Sequence, residues 1–98
     1  VWGMRYDHEL FWVDEFKKVE EENDNFNFDL TISRPSSDWQ GQTGRVSESL
    51  EKIFSEESFE VLLWEAYLCG STQMVEDISL WLMSKGMERT AIHFEKFF

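Results

Sequence analysis

The spacing of apolar residues predicts strands alternating with helices. The opening Val1-Trp2-Gly3 reads as the end of a strand. Leu10, Val13, Phe16 and Val19 then recur near helical spacing, with Lys17, Lys18 and Glu21 outside that face. Asp7 stands where an N-cap for this helix is expected. The pattern fades at Glu22-Asn23-Asp24-Asn25. Residues 26–33 alternate strictly between apolar and polar, the period of a strand with one buried face. Residues 34–43 hold the only proline, with serine, aspartate and glycine, and predict a loop. Ser47 is placed to cap a short helix carrying Leu50, Ile53 and Phe54, and residues 55–58 break it.

The apolar run 61–68 predicts a third strand ending at Cys69-Gly70, although residues 59–64 also suit a helix. Ser71 follows as an N-cap, Val75, Ile78 and Leu82 share one helical face, and Gly86 is the expected stop. Residues 92–97 predict a last short strand. Strands alternating with helices imply a parallel sheet with right-handed crossovers, so the expected class is α/β, a three-layer sandwich around a short parallel sheet. Ligands of such sheets bind at the carboxyl ends of the strands. Four segments fall there: Gly3-Met4-Arg5-Tyr6, Ser33-Arg34-Pro35, Cys69-Gly70-Ser71-Thr72 and Glu95-Lys96-Phe97-Phe98. Arginine offers a planar fork to phosphate, a helix N-terminus offers free N–H groups, and an aromatic face stacks on a flat ring. Together these suit a dinucleotide.

Composition narrows the choice. The 98 residues suit one small domain, and the opening without a methionine is expected of a piece cut from a longer protein. A hydrophobic share of 42%, including nine Phe and five Trp, is enough for a core. No run approaches the roughly 20 apolar residues of a membrane span. The net charge of −11 disfavours nucleic acid and anionic membranes and permits a basic partner, although an acidic solvated surface is the plainer reading. A single cysteine excludes an internal disulfide and a multi-cysteine metal site, and fits a reducing cytoplasm. His8 and His93 stand alone and offer no metal set.

Four ordered motifs carry a resemblance. They are Trp-Gly-Met-Arg-Tyr-Asp from Trp2, Ser-Arg-Pro from Ser33 with Asp-Trp-Gln-Gly-Gln-Thr-Gly-Arg-Val from Asp38, Tyr-Leu-Cys-Gly-Ser-Thr-Gln-Met-Val from Tyr67, and Ile-His-Phe-Glu-Lys-Phe from Ile92. Over nearly its whole length the chain resembles the C-terminal part of the pyridine-nucleotide domain of the ferredoxin–NAD(P)H reductase family, closest to the NADH-dependent flavoprotein reductases that serve oxygenases. The resemblance implies that Cys69 lies beside the nicotinamide, that Gly70 lets the cofactor approach the backbone, and that Ser71 and Thr72 open the helix facing it. It places Ser33 and Arg34 near the adenosine end and Arg5 at phosphate or ribose. It sets Gly3 at the cofactor edge, Asp7 at ribose hydroxyls unless it simply caps the helix, and Glu95 and Phe97 at the flavin–nicotinamide junction.

The same resemblance implies a parent enzyme that passes electrons from NADH through FAD to an iron–sulfur or other acceptor protein. NADH is preferred to NADPH because Arg34 stands almost alone. Two expected parts are not in this sequence, the first strand with its glycine-rich pyrophosphate loop and the flavin lobe. In the family's strand order, 3-2-1-4-5, the lacking strand is central, so a gap is expected between the halves unless another chain fills it or they close up differently. The isolated chain is expected to show no turnover. The alternative reading is a non-catalytic interaction or assembly piece of the same fold. Bland readings compete residue by residue: Cys69 as a buried small hydrophobe, Arg34 as a solvated loop charge, Trp39 as a loop pin, and Glu20-Glu21-Glu22 as a solvated helix end.

Overall fold

The computed structural model describes residues 1–97; Phe98, half of the terminal aromatic pair, lies outside the described residues. The chain forms two compact units, Val1–Ile53 and a second from Phe54 onward. Each has its own parallel sheet, β1-β2-β3 in the first and β4-β5 in the second. The expected α/β alternation is thus present, with its strands divided between two sheets.

In the first unit, β1 (Trp2–Met4) pairs in parallel with β2 (Leu30–Ile32), which pairs in parallel with β3 (Gln42–Thr43). Helix α1 (Val13–Glu22) connects β1 to β2, and α2 (Val46–Phe54) follows β3. Ile32 and Thr31 are fully buried at the middle strand. The Thr31 hydroxyl donates to the Gly44 carbonyl at 3.0 Å, which satisfies a polar group that burial alone would penalise. Trp2 gathers an aromatic cluster, with Phe11 at 5.1 Å, Phe16 at 6.1 Å and Phe28 at 6.4 Å between ring centroids. Gly3 has a packing reason: a Cβ there would sit 2.5 Å from the Val46 methyl that covers it.

Three expectations need correction here. Of the strand predicted over residues 26–33, only Leu30–Ile32 is regular strand, with ladder bonds reaching Asp29 and Ser33 on either side. Upstream of it, the Phe28 amide donates instead to the Glu20 carboxylate at 2.7 Å. That bond also gives Glu20 a structural partner at the helix end read as merely solvated. Asp7 does not cap α1. It begins a 3-10 turn, Asp7–Glu9, and α1 starts after Trp12, whose φ of 57° lies in the left-handed region. Ser47 lies inside the first turn of α2 instead of capping it, because the helix begins at Val46.

In the second unit, β4 (Ala66–Gly70) runs parallel to β5 (Ile92–Lys96), joined through α3 (Thr72–Ser84). The predicted helix face is buried: Val75 is 1% exposed, Leu82 2% and Ile78 5%. Ser71 caps the helix by accepting the Met74 amide at 3.2 Å. At the other end, Gly86 at φ 103° donates to the Met83 carbonyl and Met87 donates to the Leu82 carbonyl. This paired closure needs a left-handed residue at the glycine. The apolar run before β4 is not all strand; Val61–Leu63 is a 3-10 turn. Replacing Ser71 with alanine removes one capping acceptor and is expected to cost about 1 kcal/mol, read as a lower denaturation midpoint with an unchanged slope.

Candidate functional site

In the first unit, parallel pairing puts the ends of three strands on one edge, and an arginine follows each strand. Arg5 comes directly after β1, Arg34 two residues after β2, and Arg45 two residues after β3. Backbone bonds extend the ladder past the strands: the Ser33 amide donates to the Met4 carbonyl at 3.0 Å and the Arg34 amide to the Arg5 carbonyl at 2.8 Å. On the far side the Gly44 amide donates to the Ile32 carbonyl at 2.9 Å. All three arginines are exposed, and none forms an ion pair with a described residue. That is unexpected where acidic residues outnumber basic ones by 20 to 9. Arg45 is absent from the sequence-predicted set because it lies between a glycine loop and a helix start, although it stands in the motif that begins at Asp38.

The loop leaving β2 is held from two sides. Asp7 accepts the Ser36 amide at 2.8 Å and the Ser36 hydroxyl at 2.7 Å, one on each carboxylate oxygen. Trp39 donates through Nε1 to the Gln42 carbonyl at 3.0 Å and lies against Gly41, so it does pin its loop. With both oxygens engaged, Asp7 acts by fixing the segment that carries Ser33 and Arg34. The Ser36 amide, then the Ser36 hydroxyl, hold the Asp7 carboxyl below the ordinary aspartate range. A lowered folded-state value means the clamp is present above the ordinary pKa and is lost as pH falls below it through the shifted value. Asp7→Asn is expected to speed hydrogen exchange at the Ser36 amide at neutral pH, checked by exchange-monitored NMR.

In the second unit the register pairs Cys69 with Glu95 and Gly70 with Lys96. The Phe97 amide donates to the Gly70 carbonyl at 2.9 Å, extending the ladder by one rung. Cys69, Gly70, Glu95 and Phe97 therefore share one strand-end edge. Cys69 is exposed, which removes its reading as a buried hydrophobe. Phe97 is 60% exposed. The methyl of Met74, from the first turn of α3, lies where a Cβ on Gly70 would go. Thr72 opens α3, and helix geometry leaves its amide and that of Gln73 without an intrahelical acceptor. Lys96 is tied to Glu76 at 3.3 Å and leans over the Phe94 ring at 5.2 Å, so it is not a spare cation.

Parallel strands alternating with helices in the first unit, and a strand that turns at a glycine into a helix in the second, are features of nucleotide-type α/β folds. Residues 1–79 match the model of the oxidoreductase NAD-binding domain, and the chain belongs to that family. It is 30% identical over 98 residues to one component of the Na(+)-translocating NADH-quinone reductase of Marinomonas sp., covering 98% of this chain and 24% of the relative. It is 38% identical over 74 residues to the electron transfer component of anthranilate 1,2-dioxygenase from Acinetobacter baylyi, covering 74% of this chain and 20% of that protein. Among solved structures, an Amycolatopsis cytochrome P450 reductase aligns with a TM-score of 0.79 at 26% identity, over 97% of this chain and 27% of the other. A ferredoxin reductase of carbazole 1,9a-dioxygenase aligns at 0.73 with 26% identity, over 98% and 28%. The chain spans about a quarter of the length of these relatives.

Proposed function

We propose that the chain is the pyridine-nucleotide-binding portion of a flavin-dependent NAD(P)H oxidoreductase that delivers electrons to an iron–sulfur or other acceptor protein. The observation that carries this reading is the row of arginines after β1, β2 and β3, exposed and without ion pairs in a chain of net charge −11. Leaving three guanidiniums unpaired among so many carboxylates makes sense if a ligand brings the anion. Their planar forks suit phosphate oxygens. A nicotinamide dinucleotide, when bound, supplies the hydride and a flavin accepts it; the protein's part is to hold and orient.

Arg5 contacts the phosphates or ribose, and Arg34 with Ser33 holds the adenosine end. Asp7 fixes the loop bearing Ser33 and Arg34. Gly70, having no side chain, makes room for the Met74 methyl at the strand end, and the amides of Thr72 and Gln73 add a positive helix end. Cys69 and Glu95, paired in register, form the wall for the nicotinamide, with Phe97 beside them. Glu95 has an electrostatic or hydrogen-bonding role, since hydride transfer asks for no strong general base. None of these residues is assigned to FAD, which the remainder of the enzyme would hold.

NADH is the first choice of cofactor, supported by the NADH named in the Marinomonas relative and by Pro35, Ser36, Ser37 and Asp38 following Arg34. A second reading, NADPH, is favoured by Arg45, which gives the same edge a further cation. Among the described residues no helix is long and apolar enough to cross a membrane. We place the site in a reducing compartment, the cytoplasm, because Cys69 is exposed and free.

Fluorescence titration with NADH and NADPH separates the readings. Saturable binding with NADH tighter by about tenfold supports the first. Tighter NADPH, reversed in Arg45→Ala, supports the second. No saturable binding of either contradicts both.

A further inference from the structure

The second unit carries a surface that nucleotide binding does not use. Leu62 and Leu63, side by side in the 3-10 turn before β4, are 75% and 77% exposed, and Trp64 is 53% exposed. With Ala91 they line an open groove of about 640 Å³ edged by Glu65 and Glu88. Single exposed leucines are ordinary, but three consecutive large apolar residues over one groove are the pattern of an interaction surface. The patch continues to Tyr67, which is 75% exposed. Its hydroxyl donates to the Glu65 carboxylate at 3.2 Å, and its ring stacks on His93 at 4.6 Å. His93 Nε2 lies 3.8 Å from the same carboxylate. Tryptophan and tyrosine are among the residues that dominate binding energy at protein interfaces.

Charge selects the occupant. No lysine or arginine lines the groove, and Glu88 has no ion pair with a described residue. A second copy would bring a net charge of −11 toward these carboxylates, and an anionic bilayer would be repelled in the same way. We propose that the groove docks a partner protein through a basic amphipathic segment. Its leucine-like side chains lie on Leu62, Leu63 and Trp64, and its lysines or arginines meet Glu65 and Glu88. Apolar burial supplies the affinity and the two carboxylates set the orientation.

The probe is a synthetic helical peptide of about 14 residues built from leucine and lysine, with a leucine–glutamate peptide as control. Each is titrated into the isotope-labelled chain and followed by amide NMR. Saturable shifts confined to Leu62, Leu63, Glu65 and Ala91 are expected with the lysine peptide only. Leu63→Asp should weaken binding by about tenfold or more. The pair E65Q/E88Q should weaken it several-fold at low salt and less at high salt. These positions are exposed, so circular dichroism of the variants should match the parent chain. Shifts spread over Glu15 and Glu20–Glu22 of α1, equal binding of the glutamate peptide, or unweakened binding by E65Q/E88Q would overturn the proposal. So would a dimer forming through the same residues as concentration rises.

Discussion

Ile32→Ala is expected to destabilise the first unit by about 3 kcal/mol. Ile32 is 0% exposed and sits in the middle strand of the three-stranded sheet, so truncation removes buried methyl groups and leaves a cavity. Its backbone also anchors the ladder, since the Gly44 amide donates to its carbonyl. Domains of this size hold only about 5–15 kcal/mol in total, so one such loss is a large part of the margin. Urea denaturation checks it: the midpoint should fall sharply while the slope is kept. A midpoint within error of the parent would show that the sheet's core lies elsewhere. Ile32→Val, which keeps most of the volume, should cost about 1 kcal/mol.

The double reversal Arg34→Glu/Arg45→Glu is expected to weaken dinucleotide binding by about 100-fold or more. Hydrogen bonds to charged groups contribute about 1.5–3 kcal/mol each, and reversal adds repulsion to their loss. Both side chains are exposed and pair with no described carboxylate, so the fold should be unaffected. The same changes placed at Lys17 and Lys18, on an exposed face of α1, should alter affinity little. Calorimetric titration distinguishes the cases. Equal losses from both pairs would mean that only overall charge matters, because long-range attraction does not depend on which cation is removed.

Structure is legible in the sequence where its cause is local. Helix α3 can be read from end to end because Ser71, the Val75/Ile78/Leu82 face and Gly86 each act within one or two turns of themselves. The turn at Cys69-Gly70 follows from the same logic. The role of Asp7 does not, because its partner, Ser36, lies 29 residues away and no local pattern announces it. Strand β3 has two residues, too few for a period, and exists because Thr31 and Ile32 offer it a ladder. Hydrophobicity alone makes residues 61–64 look like buried strand. Leu62 and Leu63 are instead displayed, and that difference opens the groove. Of the candidate site, the arginines after β1 and β2 are visible from the strand ends. The third, Arg45, needs the pairing of β2 with β3 to be placed beside them.

The central claim is that the residues following the strands receive a pyridine dinucleotide. Amide NMR of the chain during NADH titration tests it most directly. In each unit, shifts are predicted to concentrate at the strand carboxyl ends: Arg5, Ser33, Arg34 and Arg45 in the first, and Cys69, Gly70 and Thr72 in the second. Little movement is expected at Val1, Asp29 or Ala66, at the opposite ends of the same strands. Shifts at those opposite ends, or scattered evenly over both, would contradict the account.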